Sequence, residues 1–99
     1  MIRGTTPRLE FTLPFGTDMI QAAYVTFAHK GNVVLEKELS ECSCEGDKII
    51  LNLSQKDTLA LQAGTVVEMQ IRVLTIGNNA LASNIMTAPV SRILKDGEI

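Results

Sequence analysis

Cys42 and Cys44 are the residues best equipped for chemistry, two thiols within Ser40-Glu41-Cys42-Ser43-Cys44-Glu45. A disulfide between them would close a tiny, strained ring. A metal site needs two further ligands, and His29 is the sole histidine. Two free thiols in a chain made in a reducing compartment is the reading that fits. His29 falls at the end of a strand-like run, with no cysteine or acid pair nearby to make a nucleophile–base set. The 11 acidic residues mostly occupy outward strand positions or turns, where carboxylates simply solvate the surface. Asp18 reads as a turn residue and Asp57 as a helix cap. No glycine-rich phosphate loop, metal motif or nucleophile elbow is present. The expectation is a protein that is not an enzyme, with no catalytic residue, no metal, no cofactor and no small-molecule substrate.

Composition narrows the class further. Ninety-nine residues make a single domain, 1–99, which buries roughly 60–70% of its unfolded surface. An apolar content of 45% supplies a core, and 20% charged residues keep it soluble. A net charge of −2 argues against nucleic acid or an anionic membrane as partner, since both need a concentrated basic face. No apolar run approaches the roughly 20 residues of a membrane span. Met1-Ile2-Arg3-Gly4-Thr5-Thr6-Pro7 lacks the apolar segment of a signal peptide. Synthesis and retention in the cytoplasm, or exit by lysis, is expected.

The elements that must carry these residues are strands. In Thr65 to Ile76, Val67, Met69, Ile71 and Val73 alternate with Glu68, Gln70 and Arg72, the period of a strand with one dry face. Gly77-Asn78-Asn79 is a turn, and Ala80 to Thr87 is a return strand. Upstream, Leu9, Phe11 and Leu13 alternate in a first strand that stops at Pro14, and Phe15 is placed as a plug. Ala23, Val25 and Phe27 face inward in a second strand that also carries Tyr24, Lys30-Gly31-Asn32 turns the chain, and a third strand runs from Val33 to about Leu39. After the Glu45-Gly46-Asp47 turn, Ile49, Leu51 and Leu53 form the inward set of a fourth. Ser54 with Asp57 is a variant capping box that opens one to two turns of helix, near residues 55–61 and stopped by Gly64. Pro89 interrupts or bulges the last strand.

Six or seven short strands with regular turns predict an all-β, immunoglobulin-like antiparallel sandwich with one short helix. That scheme places strands one, two and four in one sheet, and three, five and six in the other. The Gly31-Asn32 turn resists it, being short enough to pair strands two and three, so a barrel or modified sandwich stays open.

Thr6-Pro7-Arg8-Leu9-Glu10-Phe11-Thr12-Leu13 resembles the opening of small β-sandwich proteins of tailed phages and prophages. So do Ala23-Tyr24-Val25-Thr26-Phe27, Gln70-Ile71-Arg72-Val73 and Arg92-Ile93-Leu94-Lys95-Asp96-Gly97. Among described proteins, the chain resembles the N-terminal domain of phage baseplate upper proteins. The resemblance implies a virion structural role as a tail or baseplate adaptor, reached from the host cytoplasm during assembly. Baseplate upper proteins continue into a helical linker and a segment holding the receptor-binding protein. This sequence stops at Ile99, so only virion docking carries over.

Independently of the resemblance, Val34, Ile50, Leu74 and Ile76 are apolar at outward positions; either they cluster into a patch a monomer rarely exposes, or the termini or the short helix cover them. The arm Met1–Pro7 and the tail Ile93–Ile99, with Ile93, Leu94 and Ile99, have little local structure to bury them. These seven side chains are the candidate partner-binding set, toward other virion proteins or a second copy. A carbohydrate-binding or adhesion-type sandwich is the alternative. The sequence offers it only Tyr24 as a stacking platform, having no Trp and three Phe placed in or near the core.

Overall fold

The computed structural model describes residues Met1–Ile99. Eight strands and one α-helix follow the chain in order: β1 Arg8–Thr12, β2 Ile20–His29, β3 Asn32–Glu38, β4 Ser43–Glu45, β5 Lys48–Asn52, α1 Gln55–Leu59, β6 Val66–Thr75, β7 Ala80–Ala82 and β8 Met86–Pro89. They form an all-β sandwich of two antiparallel sheets. One sheet has the order β1-β5-β4, and the other β3-β2-β6-β7, with β8 also on β6. Single 3-10 turns at Thr17–Met19 and Leu39–Glu41 lie where the chain crosses between the sheets.

The second strand does not join strands one and four, as the immunoglobulin-like assignment placed it. It pairs with β3 and with β6. The cause is local. His29 pairs with Asn32 across a loop of Lys30 (φ 49°) and Gly31 (φ 79°). Positive φ at both central residues matches the right-handed strand twist and closes the hairpin within one sheet. A two-residue loop cannot cover the roughly 10 Å between stacked sheets.

The inward alternation holds on both sides. Val25 and Phe27 of β2, Ile49 and Leu51 of β5, and Val67, Ile71 and Val73 of β6 are buried in one cluster, joined by Leu53, Leu61 and Val90. The β6 alternation thus gives the middle strands of the larger sheet their dry face.

Between the sheets, α1 is held by its own cap and by β3. The Ser54 Oγ accepts from the Asp57 amide at 3.1 Å, and the Asp57 Oδ2 accepts from the Ser54 amide at 2.9 Å. The Asp57 Oδ1 is left for the Lys37 ammonium, at 3.0 Å. Burial opposes both charges, but their mutual contact outweighs it for Lys37, whose ammonium is held above its ordinary value. Burial likewise opposes the Asp57 carboxylate, and the bonds from Ser54 and Lys37 outweigh it and hold the acid below its ordinary value. A lowered acid contributes stability above its unfolded pKa and loses it as pH falls through the folded one. The raised Lys37 contributes below the ordinary lysine range and loses it as pH rises through its own value. Asp57→Asn is therefore expected to cost roughly 1 kcal/mol at neutral pH and to flatten the acid limb of stability against pH. Urea titrations across that limb check it. An unchanged acid limb would show that other carboxylates govern it.

The termini correct a second expectation in part. Their backbones are tied to the sandwich, with Ile2 and Ser91 forming a parallel bridge, while the Leu94 and Ile99 side chains are left uncovered as expected. Arg3 donates from Nε to the Leu61 carbonyl at 2.9 Å and from Nη2 to the Leu59 carbonyl at 3.0 Å, a cation on the carbonyls at the end of α1. Thr58, fully buried, donates from Oγ1 to the Thr5 carbonyl at 2.8 Å. At the other end, Gln55 receives the Ile99 amide on Oε1 at 2.8 Å, although the Ile99 side chain stays 93% exposed.

Candidate docking surface

The larger sheet is wider than its partner, and this mismatch creates the most apolar concavity of the surface. Leu81 of β7 lies opposite Val73, and Met86 of β8 opposite Met69, so both belong to the inner face. The three-stranded sheet ends at β1 and does not cover them. Leu81 remains 45% exposed and Met86 37%. The result is an apolar groove of about 430 Å³ between β1 and β7/β8. Ile71 and Val73 line it from the core, and Phe11, Leu13 and Phe15 stand on the β1 side. Phe15 packs partly buried against the core under its loop, as a plug would, and also forms part of the groove wall.

Ser83 keeps the groove's far edge in place. The register of β6 slips by one residue between Met69↔Met86 and Arg72↔Ala82, which marks a bulge. Ser83 donates its amide to the Ile71 carbonyl at 2.9 Å, and its Oγ accepts from the Ile71 amide at 3.1 Å. The hydroxyl replaces the ladder acceptor that the extra residue displaces, leaving Ile85 exposed. The interruption expected at Pro89 is also present, since β8 ends there opposite Val66 and the chain pairs next only in the isolated bridge at Ser91.

β1 borders the groove with an open edge. Leu53 donates to the Pro7 carbonyl and Leu13 to the Asp47 carbonyl, so the odd-numbered residues of β1 bond to β5. By the antiparallel alternation, Arg8, Glu10 and Thr12 turn their amides and carbonyls away from the sheet.

The candidate side chains named from the sequence do not come together. Val34 is the extra residue where the β2–β3 register slips and lines a separate open groove beside His29 and Val66. Leu74 is half-buried on the outer face of the larger sheet, in a shallow depression shared with Tyr24 and Arg72. Ile76 is exposed beyond β6, its amide donating to the Met19 carbonyl. Ile93 is half-buried, whereas Leu94 and Ile99 are exposed. Ile50 is a plain correction. At 4% exposure its side chain is covered within the monomer and cannot meet a partner; in the sheet it lies between Glu10 and Ser43. Leu81 and Met86 were missed. Their only sequence signal was a return strand with large apolar residues on what a one-sided alternation left unassigned.

The imidazole and the two thiols have structural surroundings. The His29 Nε2 accepts from the Gln62 amide at 3.0 Å, which puts the ring proton on Nδ1, where it is donated to the Val66 carbonyl at 2.9 Å. Both cysteines are free. Burial, then the neighbouring Cys44 and Glu41, push the Cys42 thiol up, which makes it a poor thiolate. No three His, Cys, Asp or Glu side chains converge as a metal site, and no helix is long and apolar enough to cross a membrane. Tyr24 is half-exposed, with Glu38 and Arg72 as its cross-strand neighbours.

No protein-family profile, curated protein or solved structure matches the chain.

Proposed function

We propose that this chain is a non-enzymatic virion structural protein of a tailed phage or prophage, a tail or baseplate adaptor that works through protein–protein contacts. The observation that carries the docking half is the groove between β1 and β7/β8, where core-facing Leu81 and Met86 are left uncovered beside an open strand edge. The virion half is supported by the resemblance of Thr6–Leu13, Ala23–Phe27, Gln70–Val73 and Arg92–Gly97 to small phage sandwich proteins. On this reading the chain is assembled in the host cytoplasm and carried in the particle.

Purified particles of the encoding phage are expected to contain the chain, detected by mass spectrometry. Leu81→Asp is expected to reduce its incorporation at least tenfold, since one charge in an apolar contact costs more than the 1.4 kcal/mol of a decade. The isolated variant should still fold, because the side chain is already half in water. Absence of the wild-type chain from particles overturns the virion role.

A further inference from the structure

We propose that the open side of the sandwich receives a second copy of this chain, joined edge to edge through β1 in antiparallel register about Leu9. The inference rests on the docking reading above and names its partner.

Of the sheet edges, β1 is the one left unguarded. β4 and β7 are three residues each, and β8 ends on Pro89, which has no amide to donate. β3 is longer, but Lys37 points inward from it to Asp57, the kind of inward charge that blocks edge pairing. The outer face of β3 adds Glu36 and Glu38 with no base among them. β1 has neither guard. Leu9 and Phe11 point toward the core, and Arg8, Glu10 and Thr12 hold unpaired backbone groups along the edge.

Charge selects the copy and the register. Arg8 and Glu10 share the outer face, 3.2 Å apart as an ion pair, and both are about half exposed. A two-fold axis at Leu9 sets Arg8 of each copy opposite Glu10 of the other, closing a ring of four alternating charges. Those are also the residues whose free amides and carbonyls would form the hydrogen-bonded pairs. An axis at Arg8 opposes two guanidiniums, and one at Glu10 opposes two carboxylates. An axis at Phe11 sets Glu10 against Thr12 and Arg8 against Pro14. Only the Leu9 register pairs every charge with its opposite. The three-stranded sheets then run continuously through the junction, and the uncovered Leu81 and Met86 of the two copies face one another across it.

Sedimentation equilibrium over a concentration series tests this with the full chain. Wild type is expected to show a monomer–dimer equilibrium. Glu10→Arg, which sets four bases around the axis, should weaken dimerisation roughly 100-fold or more, and Arg8→Glu should do likewise. Combining Arg8→Glu with Glu10→Arg should restore the dimer. Both side chains are exposed, and circular dichroism confirms that each variant folds. Amide exchange at Arg8 and Glu10 should slow on dimerisation, while Leu9, already bonded to β5, should not change. A strict monomer, or a dimer indifferent to Glu10→Arg, overturns the proposal. A monomer still present in virions removes the dimer and leaves the structural role. A charge-dependent dimer absent from virions supports the dimer and removes the virion role.

Discussion

Phe27→Ala is expected to lower stability by about 3–5 kcal/mol, the cost of emptying a packed aromatic site. Phe27 is fully buried on β2, between Leu35 of β3 and Met69 of β6 in register. It projects from the larger sheet into the cluster that Ile49 and Leu51 fill from the smaller one. No neighbour can collapse into the space without disturbing both sheets. For a domain of this size each kcal/mol moves the midpoint by about 4–8 °C, so the melting temperature should fall by roughly 12–40 °C. Thermal unfolding followed by circular dichroism measures it. Tyr24, on the opposite face of the same strand, is the control, and Tyr24→Ala should stay within about 0.5 kcal/mol. If Phe27→Ala also cost less than 1 kcal/mol, the inward register of β2 would be wrong.

The second large effect is expected from His29→Ala. The ring, 8% exposed, links the Gln62 amide to the Val66 carbonyl and also meets the Thr65 hydroxyl at 3.1 Å. Its removal leaves a donor and an acceptor unpaired, at about 1–3 kcal/mol for each group kept from water. The open groove beside the site admits some water to the gap, which places the expected loss near the lower end, about 2–3 kcal/mol. Hydrogen exchange at the Gln62 amide should speed up, because that amide loses its acceptor. Unchanged exchange at Gln62 together with unchanged stability would show that the imidazole is not its partner.

Much of the fold was legible where a local rule acts alone. The alternation in Val67, Ile71 and Val73, and in Ile49, Leu51 and Leu53, assigned the dry faces because side-chain direction has a period of two whatever the strand pairs with. Ser54 and Asp57 marked the start of α1, since a capping box is closed within four residues. The Lys30-Gly31-Asn32 signal even argued for the β2–β3 pairing against the immunoglobulin-like assignment, and the turn geometry decided in its favour.

What remained hidden depends on sheet width and strand position. Ile50 and Leu74 both alternate outward on strands paired on both sides, yet Ile50 is buried and Leu74 stays half-covered on the larger sheet, a difference that the alternation of either strand does not carry. Leu81 and Met86 face inward and are nevertheless half in water, because the opposing sheet stops one strand short. The arm and tail read as loose, since their partners lie far along the chain: Arg3 reaches the Leu59 and Leu61 carbonyls, and Gln55 accepts from the Ile99 amide. By itself the sequence determined the strands, their dry faces, the turns and the helix cap, all of which are set by contacts a few residues long. The tertiary structure alone decided which strand becomes an edge and which apolar side chains stay uncovered. Both depend on how many strands each sheet recruits, and that is settled by long-range pairing rather than by local propensity.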